Sequence, residues 1–182
     1  MSLKTRILTA AAVLTAAALV GATAAPAAAA TAPPTGAHID GWQRVVTQPF
    51  TSPAGDLCPF ELHSEPLVDQ VYVRTTATFP DGSPQRQQYA GPLVVRLTNT
   101  ATGAAIVRNL SGAAVVTYAA DGSYDFRILG PAAVGFRAYR GDNLPTGFYV
   151  LRGVHVVHFA ADGTRTLTVD RGGEENTCVT LD

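Results

Sequence analysis

The chain has 182 residues, of which 47% are hydrophobic and 15% are charged, and its formal net charge is −1. A chain this close to neutral lacks the basic surplus that a nucleic-acid surface or a polybasic membrane site requires. Composition and charge therefore exclude nucleic acid as an expected partner, and the length suffices for one domain with its own core.

Residues 1–30 have the layout of a secretory signal peptide. Lys4 and Arg6 form a short positive segment, residues 7–20 are apolar or small, and small residues lead to Ala30. The apolar run is shorter than the roughly 18 residues that a transmembrane helix needs, and it is built from Ala and Thr. We therefore predict cleavage near Ala30, no transmembrane anchor after cleavage, and a secreted, extracellular protein in an oxidising environment.

The rest of the chain is predicted to be a short leader followed by one antiparallel β domain. Residues 31–40 form the flexible leader, because Pro33-Pro34 favours extended backbone and nothing nearby can pack. Residues 41–182 form the domain. Apolar and polar residues alternate with the period of two that indicates β-strands over 71–79, 93–99, 123–129 and 164–169.

Turn residues separate these strands at short intervals. Asp81-Gly82, Asp121-Gly122 and Asp162-Gly163 match the Asp-Gly preference of tight hairpin turns, and 98–103 and 140–147 indicate longer turns. Short strands with closely spaced turns are typical of a barrel or a sandwich. We predict a single antiparallel β-barrel or flattened barrel of about 8–10 strands, with a β-sandwich as the alternative.

Two short sequence echoes run through the domain. "TYAADGS" (117–123) resembles "HFAADGT" (158–164), and "AGPLVV" (90–95) resembles "LGPAAV" (129–134). A propeller needs at least four repeats, for which the chain is too short. We interpret the echoes as recurring turn chemistry in a meander of similar hairpins.

The chain has two cysteines, Cys58 and Cys178. In an exported protein, a single structural disulfide is the favoured interpretation. We place Cys58 at the start of one strand and Cys178 in the last strand, so that the bond joins the first core strand to the last and contributes about 4–5 kcal/mol in the chain-entropy model. A catalytic cysteine is disfavoured, because Leu57, Pro59 and Phe60 offer no base or positive charge.

Several segments together carry a resemblance. "DLCPFELH", "LTNTATGAAIVRNLSG", "ADGSYDFRILGP" and the terminal "TCVTLD" resemble a group of secreted actinobacterial β-rich proteins of unknown function. The shared features are a Cys-x-Phe near the mature start, a Thr-Asn-x-x-x-Gly hairpin, Asp-Gly turns and a closing Cys. The resemblance covers about residues 58–182. It implies export and a β fold, and it brings no catalytic residue.

Three residues are candidates for binding: Glu61, His63 and His155. Glu61 and His63 share a strand face, but no third ligand is nearby, so no metal site and no cofactor are predicted. His155 and His158 lie three apart on a strand and point to opposite faces. One of them is expected to be a hydrogen-bonded core histidine; a bulge at Gly153 would decide which, and this stays open.

Two classes of function fit these features. The first is an exported, non-enzymatic extracellular or cell-envelope binding or structural module with a filled core, for which a cell-wall polymer is the expected partner. Its recognition residues would lie in loops 140–147 and 170–176. The second is a small β-barrel enzyme or carrier, cyclase-like or isomerase-like, with an interior pocket for a small hydrophobic ligand that Tyr and Phe side chains would line. An enzyme would turn polar groups such as His155 or Arg137 into an open cavity. No catalytic residue is predicted.

Overall fold

The computed structural model describes residues 41–182, and the predicted signal peptide and leader lie outside this range. Twelve strands, one 3₁₀ turn (Ala138–Arg140) and one short helix, α1 (Thr177–Thr180), make up the described part. None of its helices is long and apolar enough to cross a membrane. The strands are β1 (Gln43–Val45), β2 (Phe50–Ser52), β3 (Leu62–Asp69), β4 (Val71–Thr78), β5 (Pro84–Gly91), β6 (Leu93–Asn99), β7 (Ala105–Asn109), β8 (Gly112–Tyr118), β9 (Tyr124–Leu129), β10 (Ala132–Phe136), β11 (Gly147–Phe159) and β12 (Arg165–Asn176).

The strands form two antiparallel sheets. The large sheet has the order β1-β4-β5-β8-β9-β11-β10, with β12 pairing on β11, and the small sheet has the order β2-β3-β6-β7. The predicted all-β antiparallel class is therefore confirmed. The predicted barrel is wrong: among the described residues neither sheet closes on itself, and two sheets fit the sandwich alternative.

Strand bends explain why a barrel does not form. β3–β4, β5–β6 and β7–β8 are nearly continuous runs that leave one sheet and enter the other through connections of one or two residues. Bent strands that switch sheets make the corners of packed β-sheets. At one corner Gly91 has φ of +139°, and a Cβ there would overlap the carbonyl oxygen of Gln70. Only glycine allows the two backbones to approach so closely.

The three predicted Asp-Gly turns are confirmed and share one geometry. Gly82, Gly122 and Gly163 have φ of +85°, +88° and +88°. In each turn the aspartate carboxylate accepts a hydrogen bond, 2.9 Å long, from the backbone N–H two residues later. The pKa of all three aspartates is lowered, mainly by the hydroxyls of Ser83 and Ser123 for Asp81 and Asp121, with the backbone bond second, and mainly by the backbone bond from Thr164 for Asp162. The "ADG" echo thus encodes a turn whose aspartate fixes its own backbone.

The predicted disulfide Cys58–Cys178 is present, and both cysteines are buried. Their predicted placement in strands is wrong, because Cys58 lies in the turns before β3 and Cys178 lies in α1. The side chain of Asn176 caps that helix by accepting a hydrogen bond from the Cys178 N–H, 3.1 Å away. The bond therefore ties the segment before the first long strand to the end of the chain.

Glu175 connects the edges of the two sheets. Its carboxylate accepts hydrogen bonds from Arg108 of β7 at 2.5–3.0 Å and from Arg152 of β11 at 2.7 Å. These bonds, with the Arg108 contact the stronger, lower the pKa of Glu175 to about 2. Glu175 lies near the end of β12, so the expectation that 170–176 is a loop is wrong.

Buried apolar side chains form two clusters that share β11. Phe148 and Val150 of β11 belong to the cluster beside the small sheet, and Tyr149 and Leu151 belong to the second cluster. This alternation buries both faces of the first half of β11. The remaining buried members are Leu57, Cys58, Phe60, Leu62, Val95, Leu97, Leu110, Cys178 and Leu181 in the first cluster, and Ile128, Val134, Phe136 and Val157 in the second.

Candidate ligand-binding cavity

A cavity of about 530 Å³ is lined by residues of both sheets. Its lining side chains are all uncharged, and most are aliphatic or aromatic. The large sheet supplies Val71, Tyr89, Ala90, Gly91, Gly112, Ala113, Ala114, Val116, Tyr118, Tyr124, Phe126, Ala132, Ala133, Phe148 and Phe159; the small sheet supplies Phe50, Ser64, Leu93 and Val95; and connections supply Thr47, Leu110 and Pro131. Pockets for small molecules usually fall between about 300 and 1,000 Å³ and have such walls.

Small side chains leave this volume open. β8 begins Gly112-Ala113-Ala114, and β10 begins Ala132-Ala133, and all five residues line the cavity. A leucine or phenylalanine at such positions would fill space that alanine leaves empty. For scale, an engineered cavity of about 150 Å³ in another protein binds benzene, so this one has room for a molecule several times larger.

A row of side chains on one face of the large sheet crosses four strands beside the cavity. Direct cross-strand pairs link Tyr118 to Tyr124, Tyr124 to Phe159, and Phe159 to Arg165. The ring centroids are 5.7 Å apart in the first pair and 4.5 Å apart, stacked, in the second. The three aromatic rings line the cavity, with Tyr118 tilted by 46° against Tyr124 and Tyr124 stacked on Phe159.

The Arg165 guanidinium ends this row and does not line the cavity. Its carbon Cζ lies 5.2 Å from the centroid of the Phe159 ring, on the side of β11 away from Tyr124. One of its N–H groups donates to the carbonyl oxygen of Gly135. Burial lowers the pKa of Arg165.

Two lining tyrosines share one hydrogen-bond acceptor. The hydroxyls of Tyr89 and Tyr118 both donate to Oε1 of Gln87, at 3.0 Å and 2.9 Å. Burial raises the pKa of Tyr89 to about 12, and burial also raises the pKa of Tyr124. The phenols of Tyr89 and Tyr124 are therefore neutral at ordinary pH, and the three tyrosines supply most of the polar side chains of the cavity wall.

His155 is the core histidine that the sequence analysis left unassigned. Its side chain is fully buried, with Nε2 3.1 Å from the carbonyl oxygen of Arg152. Its Nδ1 lies 3.2 Å from a carboxylate oxygen of Asp170 but outside hydrogen-bonding geometry. His158 points outward, with Nδ1 2.8 Å from Asp125. The opposite orientation of the two histidines is confirmed, and the register shift lies at Val156/Val157 rather than at Gly153.

Glu61 and His63 lie at the small sheet and outside the cavity lining. The Glu61 carboxylate accepts a hydrogen bond of 3.0 Å from the Thr100 hydroxyl, and His63 Nδ1 lies 3.0 Å from the Thr51 hydroxyl. The part of the chain that the structure describes contains no group of three or more His, Cys, Asp or Glu side chains arranged to hold a metal ion. A binding role for Glu61, His63 or His155 stays a prediction.

Arg137 also lies away from the cavity lining. Its guanidinium donates two hydrogen bonds of 2.6 Å to the Asp56 carboxylate, which also accepts from the hydroxyls of Tyr139 and Ser52. The Arg137 contact holds the pKa of Asp56 well below its usual range. This cluster joins the segment before β3 to the segment after β10, so its geometry indicates a structural role.

The sequence predicts the type of side chain that lines the pocket but not the position of the pocket. Tyr and Phe side chains from several strands line it, as the second class of function requires, whereas the polar groups expected for an enzyme, His155 and Arg137, do not. The run of small residues in β8 is the sequence signal that could have located it.

Comparisons of the chain with protein-family models, with curated proteins and with solved structures find no match.

Proposed function

We propose that this protein is an exported, non-enzymatic module that binds a small apolar molecule in the cavity between its sheets. The observation that carries the proposal is an uncharged, largely apolar lining around about 530 Å³. A cell-wall polymer is the less favoured ligand, since an extended glycan would need a polar surface groove rather than an apolar pocket.

The exposure of the cavity to solvent supports this proposal. The cavity of about 530 Å³ is partly open to the surface, so water occupies it when no ligand is bound. Water gains few hydrogen bonds from apolar walls, so an apolar ligand would displace it favourably.

The chemistry of the wall favours binding over catalysis. General acid–base catalysis needs a group whose pKa lies near the working pH. Among the residues that the structure describes, the lining contains no His, Cys or carboxylate, and its half-buried tyrosine Tyr89 has a pKa raised to about 12. The wall thus offers shape and apolar surface, together with a few neutral hydroxyls.

Export is part of the proposal and is supported by two features. The Cys58–Cys178 disulfide suits an oxidising compartment. The layout of residues 1–30 is that of a secretory signal, and the resemblance to secreted actinobacterial proteins agrees with it.

The experiment is a titration with the neutral fluorescent probe N-phenyl-1-naphthylamine, which brightens in apolar surroundings. The test variant is Ala114→Phe, which puts a ring into the cavity from a buried position. The matched control is Val115→Phe, the next residue of the same strand, which points to the other face and does not line the cavity.

We expect the wild type and Val115→Phe to bind the probe with similar affinity, and Ala114→Phe to bind it about tenfold more weakly, a loss of about 1.4 kcal/mol. Thermal unfolding of each variant shows that it is folded. Absence of probe binding to the wild type, or unchanged binding by a folded Ala114→Phe variant, would contradict the proposal.

A further inference from the structure

We infer that the ligand is an uncharged lipophile that carries one hydroxyl group, and that this hydroxyl donates a hydrogen bond to one of the two phenol oxygens of Tyr89 and Tyr118. The inference rests on the proposed function and specifies the chemistry of its ligand. It depends on two observations: the charge of the cavity wall and the direction of the hydrogen bonds within it.

The wall provides no partner for a charged ligand. Within residues 41–182, no Lys, Arg, His, Asp or Glu side chain lines the cavity. An ionised carboxylate or ammonium group placed there would lose its hydration without gaining an opposite charge, at a cost of several kcal/mol. The Arg165 guanidinium lies beyond the Phe159 ring and already donates to the carbonyl of Gly135. A neutral ligand is therefore favoured.

Most of the polar side chains of the wall lie together. Three of the five polar lining side chains are Tyr89, Tyr118 and Tyr124, and the other two are Thr47 and Ser64. Tyr89 and Tyr118 meet at the same Gln87 oxygen, and Tyr118 packs against Tyr124. A ligand whose polar group is single and terminal would place it here and leave its apolar body against the aliphatic and aromatic wall.

The direction of the hydrogen bonds selects the kind of polar group. Both phenol O–H groups donate to Gln87 Oε1, while Gln87 Nε2 is directed to the hydroxyl of Thr75, 3.4 Å away. Each phenol hydrogen is thus engaged, and each phenol oxygen keeps lone pairs that can accept. A ligand O–H would donate to these oxygens, whereas an ether or ketone oxygen would meet acceptors only.

The test compares three ligands with the same twelve-carbon chain as competitors for bound N-phenyl-1-naphthylamine at pH 8. The ligands are dodecan-1-ol, its methyl ether and dodecanoate. We expect the alcohol to displace the probe at about a fivefold lower concentration than the ether, which is the ratio for one hydrogen bond of about 1 kcal/mol. We expect dodecanoate to be weaker than the alcohol by about tenfold or more.

Tyr118→Phe is the test variant, because it removes one acceptor and leaves the ring in the wall. We expect it to reduce the preference for the alcohol over the ether, because only the Tyr89 phenol oxygen then remains as an acceptor. Tyr72→Phe is the matched control. Tyr72 lies in β4 of the same sheet, outside the cavity lining, and its hydroxyl makes no hydrogen bond to the described residues. This variant should keep the full preference.

The outcomes distinguish failure of the hydroxyl inference from failure of the proposed function. Equal binding of alcohol and ether, or an unchanged preference in Tyr118→Phe, would overturn the hydroxyl inference while the proposed function stands. Dodecanoate binding as tightly as the alcohol would overturn the inference of a neutral ligand and point to Arg165. A wild type that binds neither the probe nor any of the three ligands would overturn the proposed function as well.

Discussion

Replacing Glu175 by glutamine tests how the edges of the two sheets are held together. The carboxylate accepts hydrogen bonds from Arg108 and Arg152, and its side chain is only 18% exposed. The pKa falls from 4.5 to about 2, with the Arg108 hydrogen bond as the main cause. Since a pKa difference of one corresponds to about 1.4 kcal/mol, ionised Glu175 stabilises the folded protein by about 3 kcal/mol at neutral pH.

The sign of the pH dependence follows from the lowered pKa. A carboxylate whose folded pKa is depressed contributes stability above its unfolded pKa, about 4.5, and loses it as the pH falls through the folded value, about 2. Glu175→Gln removes this contribution at every pH. The difference between wild type and variant should therefore be about 2–3 kcal/mol at pH 7 and should narrow steadily between pH 4.5 and pH 2.

The assay is equilibrium urea unfolding of both proteins at pH 7, 4 and 2.5. Glu65→Gln is the matched control, because Glu65 also pairs with an arginine on the neighbouring strand, Arg96, but both side chains are at least 40% exposed. Such surface pairs contribute about 1 kcal/mol or less. Equal losses in the two variants at pH 7, or a Glu175→Gln difference that stays constant down to pH 2.5, would refute the assignment.

Two further predictions concern the disulfide and the corner glycine. The double variant Cys58→Ala/Cys178→Ala removes a bond that spans 120 residues. The chain-entropy model assigns this bond about 4–5 kcal/mol of stability, so the thermal midpoint measured by circular dichroism should fall by about 10–15 °C. A fall of only a few degrees would contradict the model. Gly91→Ala should lower the free energy of unfolding in urea by about 2 kcal/mol or more, because its Cβ would overlap a backbone carbonyl. Gly173→Ala, where a Cβ meets open space, should lower it much less. Similar decreases in the two variants would contradict the role of the corner glycine.

The sequence predicts the local structure well because local chemistry decides it. Alternation of apolar and polar residues over 71–79 and 93–99 requires only that one face of a strand is more buried than the other, and both strands are present. The Asp-Gly turns depend on four or five adjacent residues, and they form as expected. The disulfide follows from two cysteines in a chain for which the sequence predicts export.

The bends that decide barrel against two sheets were not recognised. Of the two Gly-Pro pairs, 91–92 lies where the chain changes sheet, between β5 and β6, whereas 130–131 lies between β9 and β10, which both belong to the large sheet. Gly91 has φ of +139° at its bend. A period-two pattern continues through such a bend without change, so the pattern alone cannot reveal that a strand leaves its sheet. Gly91-Pro92 within an apolar run is the signal for one of the three sheet changes, and the other two carry no Gly-Pro pair.

The same corners raise the question of whether the cavity is merely a by-product of the fold. Close backbone approach accounts for Gly112, since a Cβ there would lie 3.0 Å from the carbonyl oxygen of Pro131. It does not account for Ala114, which lies two residues further along β8, faces the cavity and is buried. A larger apolar side chain at Ala114 would bury more surface and fill volume, which commonly stabilises a protein by about 0.5–2 kcal/mol. We therefore expect Ala114→Phe to raise the thermal midpoint and to weaken probe binding. The reason is that alanine at this position leaves open the volume that a ligand requires, and this lowers the stability of the protein. A variant that is both less stable and equally able to bind would show instead that the cavity is a consequence of strand bending alone.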